Sequence, residues 1–368
     1  MKKSSVDKPF LLSVIVLVVA GFFIFSSASL GLLAKNSVQY SSVSFSQSVL
    51  GLFFGTLAMI FVSKIDYKHW KTYAFYILVV AIILNILVLF PHIGFEHGGA
   101  RRWFVFWGVS FQPSEILKLG VVIYFSAWAS SVKSKMETFR YGFLPLIILI
   151  IIASILLLKQ PDTDTLLLII FSCLAIFVTA GGRWKYIFFI AIAGIMGLGI
   201  LAITRPYVMN RINTFLHPEI NAQGSSYQIQ QSLIAIGSGG IAGRGFGQSI
   251  QKFNFLPEPI GDSIFAVEAE EFGFVGASFL ILLFVFFATR GIKIAASITD
   301  QFGRLLVVGI VIMITTQAFV NIGAMLGVLP LSGITLPFVS HGGTSLFITL
   351  LEVGIILSIS KTKSIKRT

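Results

Sequence analysis

Long apolar runs parted by short polar segments recur along the whole chain. Ten fall at about 10–33, 45–63, 72–91, 113–131, 142–158, 163–181, 185–203, 267–289, 304–326 and 342–360. Each is near the roughly 17–25 residues that carry a helix across a hydrocarbon layer about 30 Å thick. Only residues 159–162, LysGlnProAsp, part the fifth run from the sixth, and Pro161 there predicts a turn rather than one long helix. No internal repeat is visible, so the inverted repeats of many secondary transporters are not expected. The pattern predicts an all-α polytopic membrane protein of about ten spans, forming one integral membrane domain over residues 1–368. A large loop, 204–266, separates spans 7 and 8.

Composition agrees: 56% of residues are hydrophobic and 11% charged, where soluble domains carry about 25% charged residues. Cys173 is the single cysteine and lies in an apolar run, which excludes a disulfide frame and a cysteine metal site. The start, MKKSSVDKPF, resembles the basic region of a signal peptide. The apolar run behind it reaches about Leu33, beyond the roughly 7–15 residues of such a signal, so a retained first helix is expected.

A net charge of +12 raises the question of nucleic acid, but its distribution answers otherwise. With a cytoplasmic N-terminus, eighteen lysines and arginines fall in inner segments and eight in outer ones, with Lys118 inside a span. That asymmetry places both termini of a multi-pass protein in the cytoplasm. Segments 92–112, 159–162, 204–266 and 327–341 then face outward, and chemistry is expected there.

Residues 251–273, QKFNFLPEPIGDSIFAVEAEEFG, hold five of the fifteen acids: Glu258, Asp262, Glu268, Glu270 and Glu271. Ionisable groups at a membrane boundary are costly and usually functional; the bland alternative is a solvated loop. Pro257, Pro259 and Gly261 around Asp262 favour a fixed turn. In the fourth span, Glu115 and Lys118 share a helix face at i and i+3, roughly 3–8 Å below the outer end. They read as a mutual ion pair, as the wall of a polar cleft with Lys118 near an anion, or as both. Arg101 and Arg102, followed by Trp103 and Trp107, fit an interfacial anchor or a phosphate clamp equally. Asp162 and Asp164 either cap the sixth span or line the same cleft. Glu352 is a deeper acid in the last span. The histidines show no metal-ligand spacing.

The outer loop adds a short interfacial helix over 226–236, with Ile229, Leu233 and Ile236 on one face. The glycines at 237–247 lack a G-x-x-x-x-G-K-[ST] pattern and read instead as backbone entering the membrane edge. An acid in a rigid turn with cations nearby suits transfer from a lipid-linked anionic substrate, a carboxylate deprotonating a hydroxyl and cations holding a departing phosphate. It also suits a lipid transporter.

Four motifs in register, GARRW (99–103), FQPSE (111–115), residues 251–273 and residues 321–345, resemble the SEDS family (shape, elongation, division and sporulation proteins), nearer its division branch. The resemblance covers about 95–355. It implies an inverting glycosyltransferase that polymerises peptidoglycan glycan strands from lipid II outside the cytoplasmic membrane. It implies as partners a class B penicillin-binding protein and other divisome or elongasome membrane proteins, with no nucleic acid. The family's essential aspartate falls on Asp262, and its fourth-span glutamate and lysine on Glu115 and Lys118. Arg102 and Lys252 occupy motif positions. Arg101, Arg102, Lys118, Lys252 and Glu258 are expected near the substrate, and a divalent cation (Mg or Mn) is a candidate cofactor that could share the pyrophosphate. A partner helix is expected against late spans at Gly323, Ala324 and Gly327. Three departures stand out: Asp164 replaces a glycine, Ser263 a phenylalanine and His341 a tyrosine. A lipid II flippase and a non-catalytic division scaffold are the competing functions.

Overall fold

The computed structural model describes residues 6–97, 100–106, 109–217 and 226–362. Gly99, Trp107 and the terminal Lys2, Lys3, Lys363, Lys366 and Arg367 lie outside them. Among the described residues, nine helices are long and apolar enough to cross a membrane: Lys8–Lys35, Ser37–Lys64, Lys68–Leu87, Pro113–Glu137, Phe139–Lys159, Trp184–Thr204, Ile264–Ser297, Gln301–Met325 and Gly343–Ser360. The seventeen-residue apolar helix Thr163–Thr179 stands where the sixth span is expected, and the ten are numbered here in chain order. The first two are interrupted helices, the second passing through a π segment at Ser46–Phe54.

Spans 4, 9 and 10 form the centre, with most residues buried, while spans 3 and 7 lie at the rim. Span 7 buries only Tyr186 and Ile190. The ends expected on the inner face do gather. Arg290, near the end of span 8, holds Asp7 at the start of span 1 through two hydrogen bonds of 2.8 and 2.9 Å. The Asp7 amide donates to Ser360 at the end of span 10. Lys361 donates to the Ser63 carbonyl at 2.6 Å.

Segment 92–112 is not a plain loop. It holds three antiparallel strands, β1 (Phe95–His97), β2 (Ala100–Phe106) and β3 (Val109–Phe111), in the order β1-β2-β3. Aromatic and β-branched residues favour such a pleated ribbon, and Phe104 stacks on Phe111 across it.

Span 8 is broken at Gly273, whose φ is 66°. A break frees backbone groups that hydrocarbon cannot satisfy, and the glycine loop satisfies them. Arg244 and Gly245 amides donate to the Glu270 and Glu271 carbonyls at 3.0 and 2.9 Å. Phe274 and Val275 amides donate to Gly240 and Ile241 at 2.9 and 3.2 Å. Gly243, also left-handed at φ 81°, lies so near Gly273 that a side chain on either would overlap backbone. The expected re-entry of glycine backbone at the membrane edge is thus a repair of a broken helix.

The outer loop carries helices Pro206–Leu216 and Tyr227–Gly239. The second extends the expected interfacial helix but buries Ile229, Ser232, Ala235 and Gly239, leaving Leu233 44% exposed. Small residues win this face because the helix packs tightly on span 8, where a Cβ at Gly239 would strike the Ala269 carbonyl.

The small residues expected to receive a partner helix are already used. Ala324 is fully buried, Leu329 covers Gly323, and Gly327 sits in a turn at φ 69° facing Leu233.

Candidate active site at the outer face

Pro113 opens span 4, and a polar cluster fixes that end. Asn85 donates to the Pro113 carbonyl at 3.0 Å and accepts from Gln160 at 3.1 Å. Asp162 caps span 6 through the Thr165 amide at 3.2 Å and accepts from Ser114 at 3.3 Å. This settles Asp162 as a cap that also ties span 6 to span 4. Glu115 and Lys118 follow, joined at 3.0 Å with side chains only 9% and 4% exposed. Lys118 also donates to Gln317 of span 9 at 2.9 Å. The pair is enclosed rather than walling an open cleft. Glu352 of span 10 is buried within electrostatic reach of both.

Asp262 sits in the turn before span 8. Glu258 begins that turn in a left-handed conformation, φ 46°, which costs a side-chain-bearing residue about 1–2 kcal/mol. Its carbonyl accepts from Gly261 and Ser263 amides at 3.0 and 3.2 Å. Ser340 donates to the Gly261 carbonyl at 2.7 Å, and the His341 amide donates to Ile260 at 2.7 Å. The turn is therefore clamped by the loop before span 10. The carboxyl accepts from Gln228 of the outer-loop helix at 3.0 Å. Gln228 also donates to Ser263 at 2.9 Å, so the serine that replaces phenylalanine joins this network. Burial pushes the Asp262 carboxyl up to about 7; the Gln228 bond opposes the shift and the Glu258 charge adds to it. His341 is held neutral by burial, down to about 4, and stacks on Phe25.

Span 9 connects the two centres. Asn321 donates to the Asp262 carbonyl and the Ile334 carbonyl, both at 2.8 Å. Gln317 lies one turn earlier and reaches both Lys118 and the Thr335 carbonyl, the latter at 3.0 Å. Four residues of helix rise about 6 Å, so the ion pair is held about one turn beneath the Asp262 turn. Neither amide stands out in the sequence, although two carboxamides at i and i+4 in an apolar span are the signal that could have found them.

The other expected site residues are placed elsewhere. Lys252 does not reach the Asp262 site with a free ammonium. It is fully buried, bound to Glu271 at 2.6 Å, Gly247 carbonyl at 2.9 Å and Ser27 at 3.0 Å. Arg102 donates to the Gln160 carbonyl at 2.7 Å and to the Pro161 carbonyl, stapling β2 to the turn between spans 5 and 6. Arg101 pairs at 2.9 Å with Glu96, its cross-strand neighbour. Glu258 is exposed and folds beside Gly261. Asp164 binds Arg211 of the outer-loop helix at 3.0 Å and the Gly333 amide at 3.1 Å, so the acid in the glycine position joins three outer segments. Glu270 accepts from the Ile250 and Gln251 amides at 3.1 and 3.3 Å. Among the described residues, no group of three or more His, Cys, Asp or Glu side chains is arranged to hold a metal.

A bundle of apolar helices with a clamped acidic turn over a buried ion pair defines an integral membrane protein. The family model FTSW_RODA_SPOVE, described as cell cycle protein, matches residues 8–365, and the chain belongs to that family. It is 36% identical over 360 residues to the stage V sporulation protein E of Bacillus subtilis, covering 98% of each chain. It is 40% identical over 310 residues to a probable peptidoglycan glycosyltransferase FtsW of Coxiella burnetii, covering 83% of this chain and 82% of that one. Among solved structures, a chain of a peptidoglycan synthase complex matches with TM-score 0.79 and 26% identity, covering 96% of this chain and 97% of that one. The rod shape determining protein RodA of Thermus thermophilus matches with TM-score 0.69 and 27% identity, covering 97% of both.

Proposed function

We propose that this chain polymerises peptidoglycan glycan strands from lipid II at the outer face of the cytoplasmic membrane. The observation that carries this reading is Asp262, a carboxyl fixed at the outer end of span 8 with its proton affinity raised to about 7. A general base works best when its pKa lies near the working pH, and such a base contributes about 10²–10⁴ in rate. Asp262 takes the proton of the acceptor sugar's 4-hydroxyl. The oxygen's freed electron pair forms a bond to the donor's anomeric carbon. The bond from that carbon to the pyrophosphate oxygen breaks, undecaprenyl pyrophosphate leaves with the bonding pair, and the anomeric centre inverts.

The rigid turn supports the positioning, since Asn321, Ser340 and the His341 amide each hold one of its backbone carbonyls. Arg101 is the candidate to meet the pyrophosphate among the expected cations, because its present partner Glu96 is half exposed and exchangeable. Lys118 acts in this reading as a positioning residue, through Gln317 and span 9. A bound divalent cation would offset pyrophosphate charge. Magnesium commonly takes one or two protein carboxylates and completes its shell from phosphate and water, and here the pyrophosphate would supply most of its ligands, leaving Asp262 free as the base. A single-span class B penicillin-binding protein is the proposed partner. With Gly323, Ala324 and Gly327 occupied, the outward face of span 8 at Phe274, Phe279 and Leu282 is the surface left to it among the late spans.

The test is purified protein with lipid II, with and without the partner, and gel separation of products. Glycan ladders are expected. Lipid II that crosses vesicle membranes without forming polymer would replace this reading by transport, and neither outcome in a correctly inserted protein would leave a scaffold.

A further inference from the structure

Four helix ends meet at the basic, inner end of the bundle and leave a slot open to lipid. Phe171, Leu174, Ala175 and Val178 of span 6, with Trp184 and Ile187 of span 7, form one wall. Ile292, Ala295 and Ala296 of span 8, with Val308 and Ile312 of span 9, form the other. The cavity is about 660 Å³, within the range of about 300–1,000 Å³ that holds a small amphiphile and unlike the bed of a complete spanning helix. It exists because span 7 buries so little of itself against its neighbours.

Its lining is apolar except for Thr179, whose hydroxyl donates to the Ala175 carbonyl, and for one end, where Arg304 of the first turn of span 9 enters. The Arg304 Nε is enclosed by protein and has no hydrogen-bond partner among the described residues. A buried guanidinium N–H without an acceptor calls for a bound one. The nearest acid along the helix does not supply it. Asp300 caps span 9 through the Gly303 amide at 2.8 Å and turns toward Tyr67. Trp184, 72% exposed, stands at the same level, as aromatic residues do at a membrane interface.

We propose that this slot binds an anionic membrane lipid, its acyl chain between spans 6–7 and 8–9 and its phosphate on Arg304. Chain and headgroup are both needed. The slot offers no acidic group to a zwitterion's ammonium, and Arg304 stands where a phosphate at the inner interface would lie. A single guanidinium near an interface is worth about a five-fold preference for the anionic headgroup.

The full-length protein in detergent is titrated with dioleoyl phosphatidylglycerol, dioleoyl phosphatidylcholine and glycerol 3-phosphate, and adducts are counted by native mass spectrometry. Phosphatidylglycerol is expected to bind about five-fold better than phosphatidylcholine, and glycerol 3-phosphate not to be retained. Arg304→Gln should bring both lipids to the same level, and Arg304→Lys should keep the preference. Ala296→Trp, which fills the slot without touching Arg304, should reduce both adducts. Equal binding of the two lipids by the parent, or an unchanged preference in Arg304→Gln, would overturn the proposal. Glycerol 3-phosphate held as well as the lipid would assign Arg304 to a soluble anion. Loss of a co-purified protein from Ala296→Trp with lipid adducts unchanged would assign the slot to a partner's helix; either result refutes lipid binding.

Discussion

A carboxyl with a pKa of about 7 is half ionised at neutral pH, and this gives Asp262 a measurable signature. Its basic form is lost as pH falls through that value, so polymerisation should decline along an acid limb centred near 7 rather than near 4. Glu258→Gln removes the neighbouring charge that helps raise it, and should move the limb to lower pH. Initial rates between about pH 5 and 8.5 test both; a rate flat across this range would exclude Asp262 as the base. Stability runs the other way. The folded state holds the Asp262 proton more tightly than the unfolded chain, so its contribution is greatest below the ordinary carboxylate value and falls as pH rises toward about 7. Lys118→Met is a second test. It strands Glu115, with Glu352 nearby, in a poorly solvated place, and breaking a buried pair costs about 3–5 kcal/mol. Lower thermal stability and lower activity are expected together, and a variant equal to the parent in both would remove the pair from the account. Asp262, Glu115 and Lys118 were legible in the sequence because charge in an apolar setting is costly wherever it falls. Gln228, Gln317 and Asn321 were not, since a neutral amide carries no such cost until its partners are known. Lys252 was legible as a cation but not as one neutralised by Glu271, nineteen positions later.

At the scale of elements, the break in span 8 and the glycine loop form one unit. Gly273→Ala forces a side chain into a left-handed position against Gly243, and the conformational cost alone is about 1–2 kcal/mol. Gly194→Ala in span 7, where a Cβ meets nothing within 4 Å, is the control. Thermal unfolding in detergent should fall for the first and stay level or rise for the second, since alanine exceeds glycine in helix propensity. Equal melting of both would mean that the loop does not sustain the break. The spans themselves were readable to within a few residues at most ends, because hydrocarbon thickness fixes their length. Spans 2 and 8 were the largest exceptions. Span 2 begins at Ser37, eight positions before the expected 45, since Asn36 caps a more polar helix that runs into it; span 8 runs to Ser297, eight positions beyond the expected 289, since Arg290 and Lys293 continue the helix past the apolar run. The strands of 92–112 escaped notice because their alternation is short and lies between glycines. The buried face of Tyr227–Gly239 was misjudged because hydrophobicity favours Ile229, Leu233 and Ile236, whereas close approach to span 8 selects Ser232, Ala235 and Gly239.

At the scale of the whole molecule, the contacts Asp7–Arg290, Asp7–Ser360 and Lys361–Ser63 put the ends of spans 1, 2, 8 and 10 on one face. The basic excess predicts that this face is the cytoplasmic one. Cys173 is fully buried, so introduced cysteines can be read against a silent background. In intact cells, a membrane-impermeant thiol reagent should label a cysteine at position 223 and spare one at position 134; the reverse would invert the topology and remove the outer-face chemistry with it. Asp164, bonded to Arg211 and Gly333, ties the outer loop down over the site, and its placement follows from three segments that no local pattern connects. The most direct test of the central claim is lipid II polymerisation by Asp262→Asn and Glu258→Gln, each purified with the partner after insertion and complex formation are shown to match the parent. Asparagine keeps the shape of Asp262 without its basicity, so almost no glycan polymer is expected from Asp262→Asn, with polymer retained in Glu258→Gln. Polymer at the parental rate from Asp262→Asn would contradict the account.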